Sequence, residues 1–153
     1  MLNMTAGVFA AIVAHCVAGL PDEACGLLAG STPVPMQPGA SVADDLGAFE
    51  GSAQVLRWYP TRNVAASARL YEVDPRDLLV ADRDAEALGI GLIGVVHSHT
   101  HTGAYPSPTD VRQAPDPSWH YVLVSLAGPI PVMRSYRIKN GQVAEERLVV
   151  TGR

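Results

Sequence analysis

Cysteine is scarce in this chain. Only Cys16 and Cys25 occur in 153 residues, too few for a disulfide framework, and a chain of this length builds a core without one. Both are expected as reduced, buried thiols, and the same count rules out a closed site of four thiolates. Basic residues are also sparse: eleven Lys and Arg stand against fifteen Asp and Glu, a net charge of −4. No stretch gathers them into a phosphate-tracking surface, so nucleic acid is not an expected partner. No apolar run is long enough to cross a bilayer. The first twenty residues resemble a signal peptide only superficially, since they lack a positively charged start and carry His15 inside the apolar run. A cytoplasmic protein without membrane attachment is expected. Internal repeats and low-complexity tracts are missing, as are the His-Glu-x-x-His metalloprotease helix and the His-x-Glu and Pro-Cys-x-x-Cys signatures of zinc deaminases.

What is present fits one domain over residues 1–153, with 48% apolar residues to fill a core. Phe9, Ile12, Cys16 and Leu20 at helical spacing predict an amphipathic helix over residues 5–18, stopped by Gly19 and Pro21. Residues 24–30 form a short apolar run bounded by proline and glycine, the mark of a strand buried on both faces, with Glu23 at its mouth. Residues 31–52 shift to Gly, Pro, Ser, Ala and Asp and predict a long surface loop. Strands are expected over 55–59 and 69–73. Asp74 and Pro75 then cap a helix reaching Leu88. The apolar run 90–96 leads straight into His97-Ser98-His99, Ser107-Pro108 opens a short helical turn, and strands follow over 121–125, 132–138 and 143–150, with Asn140-Gly141 as a hairpin turn. Helices interleaved with strands, followed by a run of strands, predict an α/β or α+β sheet with helices packed on it.

The segment from His97 to Asp110 carries the chemistry. Residues i and i+2 of a strand point the same way, so His97 and His99 project together from the strand end and form half a metal site. Asp110, just inside a short helix after a glycine-containing loop, is a candidate third ligand. Two imidazoles and one carboxylate leave a zinc position open for water, as hydrolytic sites require. Glu23 is a candidate base for that water and Ser107 a candidate hydrogen-bond donor to the developing oxyanion. Chemistry alone leaves these last two assignments open.

The spacing of His97, His99, Ser107 and Asp110, together with Glu23 in Asp22-Glu23-Ala24-Cys25-Gly26-Leu27-Leu28, resembles the JAMM (MPN+) metallopeptidase motif in the family's own order. That resemblance implies one Zn2+ held by His97, His99 and Asp110, Glu23 as the water-activating base, and Ser107 as stabiliser of the tetrahedral intermediate. It also implies the family's fold, a curved mixed β-sheet flanked by helices, cytidine-deaminase-like. Further similarity in Tyr71-Glu72-Val73-Asp74-Pro75 and in residues 120–125, 134–138 and 141–143 points to the small prokaryotic members. The nearest kind releases cysteine from the C-terminal Gly-Gly of a ubiquitin-like sulfur-carrier protein. A deconjugating isopeptidase for another ubiquitin-like modifier and a non-catalytic scaffold are the alternatives. One departure is Thr100, where many members have proline after the second histidine.

Structural explanations compete at several positions. Ser107-x-x-Asp110 satisfies the helix capping-box pattern, an explanation that suffices whenever the pattern stands alone. His15 and His120 are expected to be structural or surface residues. His101 continues the alternation of His97 and His99 and is expected as a substrate contact or a loop residue. Cys25 is expected as a small buried hydrophobe, not a nucleophile. Tyr105 and Trp119 are expected in packing, with Tyr105 close enough to the ligand loop to border a substrate groove.

Overall fold

A computed structural model of the chain describes residues 1–31 and 51–152. The expected loop over 31–52 therefore lies, except at its ends, outside the described residues. The elements run β1 (Leu2–Thr5), α1 (Ala6–Ala18), β2 (Cys25–Ser31), β3 (Ala53–Thr61), α2 (Pro75–Ala87), β4 (Gly91–His99), α3 (Pro108–Arg112), β5 (His120–Ser125), β6 (Val132–Lys139), β7 (Gln142–Glu146) and β8 (Leu148–Thr151). The eight strands form one curved mixed sheet in the order β7-β6-β5-β4-β2-β3-β1-β8. β2 lies between β3 and β4, antiparallel to both, and β4 runs parallel to β5.

Alternation along the central strands divides the core between the two faces of the sheet. Leu28, Val96, Val122 and Val124 pack with Ile12 and Cys16 of α1 on one face. Leu27, Val95, Tyr121 and Leu123 pack with Ala81 of α2 on the other, where Val111 of α3 joins them. His97 shares the parity of Val95 and therefore faces α2 and α3. None of the described helices is long and apolar enough to cross a membrane. Both cysteines are free and buried, as expected. Burial pushes the Cys16 thiol up to about 12 and that of Cys25 to about 11, which leaves neither poised as a thiolate.

Capping follows the sequence. Thr5 accepts a hydrogen bond from Val8 N at the start of α1, and Asp74 accepts one from Arg76 N at the start of α2, with Pro75 next to it. Asn140 and Gly141, with φ of 52° and 75°, make the hairpin between β6 and β7. Two expectations need correction. The strand predicted over 69–73 is absent and leaves only a bridge between Asn63 and Val73. The Asn63 side chain explains why: its Oδ1 accepts from Glu72 N and its Nδ2 donates to Leu70 O, so it occupies backbone groups that a neighbouring strand would need. The strand predicted over 143–150 is two strands, β7 paired with β6 and β8 paired with β1 at the opposite edge. β1 itself escaped prediction because four residues are too few to show a period of two.

Gly26 in β2 lies against Trp58. A Cβ there would fall 2.1 Å from the Trp58 ring and 2.6 Å from Tyr59 O. Gly26→Ala is expected to destabilise the fold by about 1–3 kcal/mol, as overpacking of a filled core does, measurable by denaturant unfolding. An unchanged midpoint would show that the strand shifts freely.

Candidate metal centre

The centre is built where β2 and β4 run side by side. Their register pairs Cys25 with His97, so two residues back along β2 and two forward along β4 bring Glu23 opposite His99. Ser98 points to the other face of the sheet, where its Oγ accepts from Ala24 N at 2.8 Å and its own N–H donates to Ala24 O at 2.9 Å. This pair of bonds locks the residue after Glu23 to the residue between the histidines. Glu23 N also donates to Ser67 O at 2.8 Å, and Asn63 Nδ2 to Glu23 O at 2.9 Å.

Asp110 reaches the histidines through α3. Ser107 caps that helix, its Oγ accepting from Asp110 N at 3.1 Å while Asp110 Oδ2 accepts from Ser107 N at 2.8 Å. The capping box is therefore formed. The same Oδ2 lies 3.2 Å from His97 Nε2 and 3.1 Å from His99 Nε2, and the two Nε2 atoms are 3.2 Å apart. The structural and chemical explanations of Ser107-x-x-Asp110 hold together: the cap fixes the rotamer that aims the carboxylate at the histidines.

Three donors at these separations suit a small divalent cation. Tetrahedral zinc with ligand bonds near 2.0–2.1 Å sets its donors roughly 3.3 Å apart, close to the triangle formed by His97, His99 and Asp110. His99 Nδ1 donates to Gly103 O at 2.9 Å, the bond that fixes the tautomer and aims Nε2 at the cluster. Tyr71 stacks on His97, with ring centroids 4.1 Å apart and planes at 16°. The loop supplying Gly103 is tied down by Ser125 Oγ donating to Thr102 O and by Tyr136 Oη donating to Ala104 O. Thr100, the departure from the expected proline, donates from Oγ1 to Ala68 O at 3.2 Å and so joins this loop to residues 62–73.

Electrostatics mark the cluster as unusual. Burial alone would raise the Asp110 carboxyl, but hydrogen bonds from His97 and His99 hold it well below the usual carboxylate range. Burial pushes His97 down despite Asp110, whereas His99 rises against burial through its bonds to Asp110 and Gly103. Glu23 is 6% exposed and its Oε2 has no hydrogen-bond partner. Desolvation pushes its pKa up to about 7; attraction to His99 opposes the rise and Asp110 adds to it. A cleft of about 550 Å3, lined by Glu23, Arg69, His99, Thr100, His101 and Ser107 among others, opens beside the cluster.

The structure thus brings His97, His99 and Asp110 into mutual contact and sets Glu23 and Ser107 in the adjoining cleft. His101 is exposed on the cleft wall and stands outside the three-residue cluster. His15 bonds Cys25 O, and His120 is buried against Glu146, both as structural residues. Trp119 packs against the core, while Tyr105 is exposed and edge-on to Tyr136. Sequence reasoning gave no role to Tyr71, Asn63 or Arg69. Their involvement depends on the irregular segment 62–73 folding over Glu23, which no periodicity signals.

The raised Glu23 pKa has a consequence for stability. The folded state binds the Glu23 proton more tightly than the unfolded chain, so metal-free protein loses stability as pH rises from about 4.5 through about 7. Glu23→Gln removes that loss. Metal-free Glu23→Gln is expected to melt with the parent near pH 4.5 and roughly 2–6 °C above it at pH 8; parallel Tm curves for the two proteins would contradict the burial of this charge.

The family described as prokaryotic homologs of the JAB domain matches residues 5–139. The chain is 39% identical over 147 residues to the CysO-cysteine peptidase of Mycobacterium tuberculosis, covering 95% of this chain and 88% of that protein. It is 34% identical over 110 residues to the probable TtuB-protein conjugate cleaving protease of Thermus thermophilus, covering 70% and 68%. A solution structure of a protein from Desulfitobacterium hafniense superposes with a TM-score of 0.80 at 35% identity, over 100% of this chain and 94% of the other. On this match, and with its two histidines, carboxylate and glutamate gathered at one end of the central strands, the chain belongs to the prokaryotic JAB-domain family.

Proposed function

We propose that the protein is a zinc-dependent hydrolase that cleaves the amide bond after the C-terminal Gly-Gly of a ubiquitin-like sulfur-carrier protein and releases cysteine. The observation that carries this reading is Glu23, a buried carboxylate with an unpartnered oxygen and a pKa raised to about 7, set in a cleft beside three convergent metal-ligating groups. The name of the Mycobacterium tuberculosis relative, a CysO-cysteine peptidase, supports the choice of carrier and leaving group. The Thermus thermophilus relative, named for cleaving TtuB-protein conjugates, favours a second reading in which the leaving group is a protein amine.

His97, His99 and Asp110 would hold the Zn2+. When bound, it supplies Lewis-acid polarisation of the carbonyl and makes water more acidic. Glu23, near neutrality in pKa, accepts a proton from the attacking water and can return it to the departing amine. The Ser107 Oγ accepts from Asp110 N, which leaves its O–H proton free to donate to the oxygen that becomes negative as the carbonyl is attacked. Water oxygen adds to the glycyl carbon, the carbon–nitrogen bond breaks, and the amine leaves carrying the proton. An extended, glycine-only tail, whose backbone can approach closely, would enter the cleft beside Thr100 and Thr102.

Glu23→Gln protein is expected to retain one zinc and lose turnover of a CysO-cysteine conjugate by about 10²–10⁴-fold, followed by mass spectrometry of the carrier. Full activity in that variant rules out the assigned base. Ser107→Ala is expected to lower kcat by about 10²–10³-fold in zinc-saturated protein, where Ser107 N still donates to Asp110 Oδ2. Chelation should stop the parent enzyme, and zinc should restore it; turnover indifferent to chelator overturns the metal assignment.

A further inference from the structure

One permanent cation lines this cleft. Arg69 lines it together with Glu23, His99 and Ser107; the residue is exposed, and among the described residues its guanidinium makes no ion pair. Its place is nevertheless fixed. Ser67 O accepts from Glu23 N, Ala68 O accepts from Thr100 Oγ1, Arg69 N donates to Ser67 Oγ at 3.1 Å, and Leu70 O accepts from Asn63 Nδ2 at 2.9 Å. The backbone on both sides of Arg69 is thereby tied to the residues that hold Glu23 and the loop after His99. A long, permanently charged side chain thus leaves the rim of the reaction cleft from a backbone anchored by four hydrogen bonds, with its own donors unspent among the described residues.

Resting on the hydrolase reading above, we infer that Arg69 is a specificity-determining residue that receives the α-carboxylate of a free amino acid leaving group. In a carrier joined to an amino acid through its α-nitrogen, that carboxylate lies two bonds from the nitrogen that is cut. A guanidinium fork matches its two oxygens and pairs with them bidentately. A lysine isopeptide offers no carboxylate at that distance: its nitrogen sits at the end of a four-carbon stem and its α-carboxyl is spent in a peptide bond. Arg69 therefore favours removal of a single amino acid from the carrier over release from a protein lysine. The neighbouring His101 Nδ1 lies 2.6 Å from Thr100 Oγ1, which leaves Arg69, among the described residues, as the cleft group with a free, bidentate set of donors.

The test compares three CysO probes, one extended by cysteine with a free carboxylate, one by cysteine amide, and one joined to the lysine Nε of a short peptide. Zinc-loaded parent protein is expected to cleave the first with kcat/KM about tenfold or more above the other two. Arg69→Met should lower the first by about tenfold, chiefly through KM, and leave the amide within about twofold. Arg69→Lys should recover part of the difference. Binding of the uncleaved conjugates to Glu23→Gln protein, with and without Arg69→Met, should give the same ranking. A loss that is equal for acid and amide, or no loss at all, overturns the role of Arg69 while leaving the hydrolase reading intact. Failure of the zinc-loaded parent to cleave any of the three overturns that reading, and this inference with it.

Discussion

The register between β2 and β4 is the constraint on which the centre depends. Because Cys25 stands opposite His97, a slip of one residue would turn Glu23 toward α1 and away from the histidines. The register is specified from both sides. Leu27 and Leu28 must enter opposite apolar clusters, and Ser98 must meet Ala24 in a reciprocal pair of hydrogen bonds. Core packing and site geometry are set by one alignment, so the hydrophobic energy that orders the sheet also holds the catalytic candidates in place.

Gathering two imidazoles and two carboxylates where little water reaches is costly, and the molecule does not offset that cost through hydrogen bonds alone. Asp110 is satisfied by Ser107 N and both histidines. His97 Nδ1 and Glu23 Oε2 are not satisfied. Buried polar atoms without partners are rare in folded proteins and call for an explanation at each site. A divalent cation and a water on the Nε2 side of the cluster would give Glu23 Oε2 its partner, though not His97 Nδ1, and a site of this kind is expected to be less stable empty than filled.

The segment 62–73 turns the cluster into a cleft. It contains no regular strand, yet it is ordered by side chains: Asn63 uses Oδ1 for Ala65 N and Glu72 N and Nδ2 for Glu23 O and Leu70 O. All four of its hydrogen-bonding valences are filled. A single asparagine thus shapes the wall that carries Tyr71 over His97 and Arg69 to the rim. Asparagine is suited to this because it offers donors and acceptors without charge next to Glu23.

The sequence by itself determined the chemistry of the centre and the main elements of its support. His97 and His99 two apart on an apolar strand, Ser107-x-x-Asp110 after a glycine-containing loop, and Glu23 before a doubly buried strand are local patterns, governed by strand alternation and helix capping. Helices α1 and α2 were legible for the same reason, through their spacing and caps. Only the tertiary structure decided that β1 and β8 pair at one edge of the sheet, that residues 142–151 divide between its two edges, and that residues 69–73 abandon a strand to cover the site. Those outcomes rest on long-range partners: β1 exists because β3 and β8 flank it, and Arg69 meets the cleft because Asn63, Ser67 and Thr100 anchor its neighbours. Side-chain periodicity reports which face of an element is buried, but a hydrogen bond between residues far apart in the chain leaves no periodic trace.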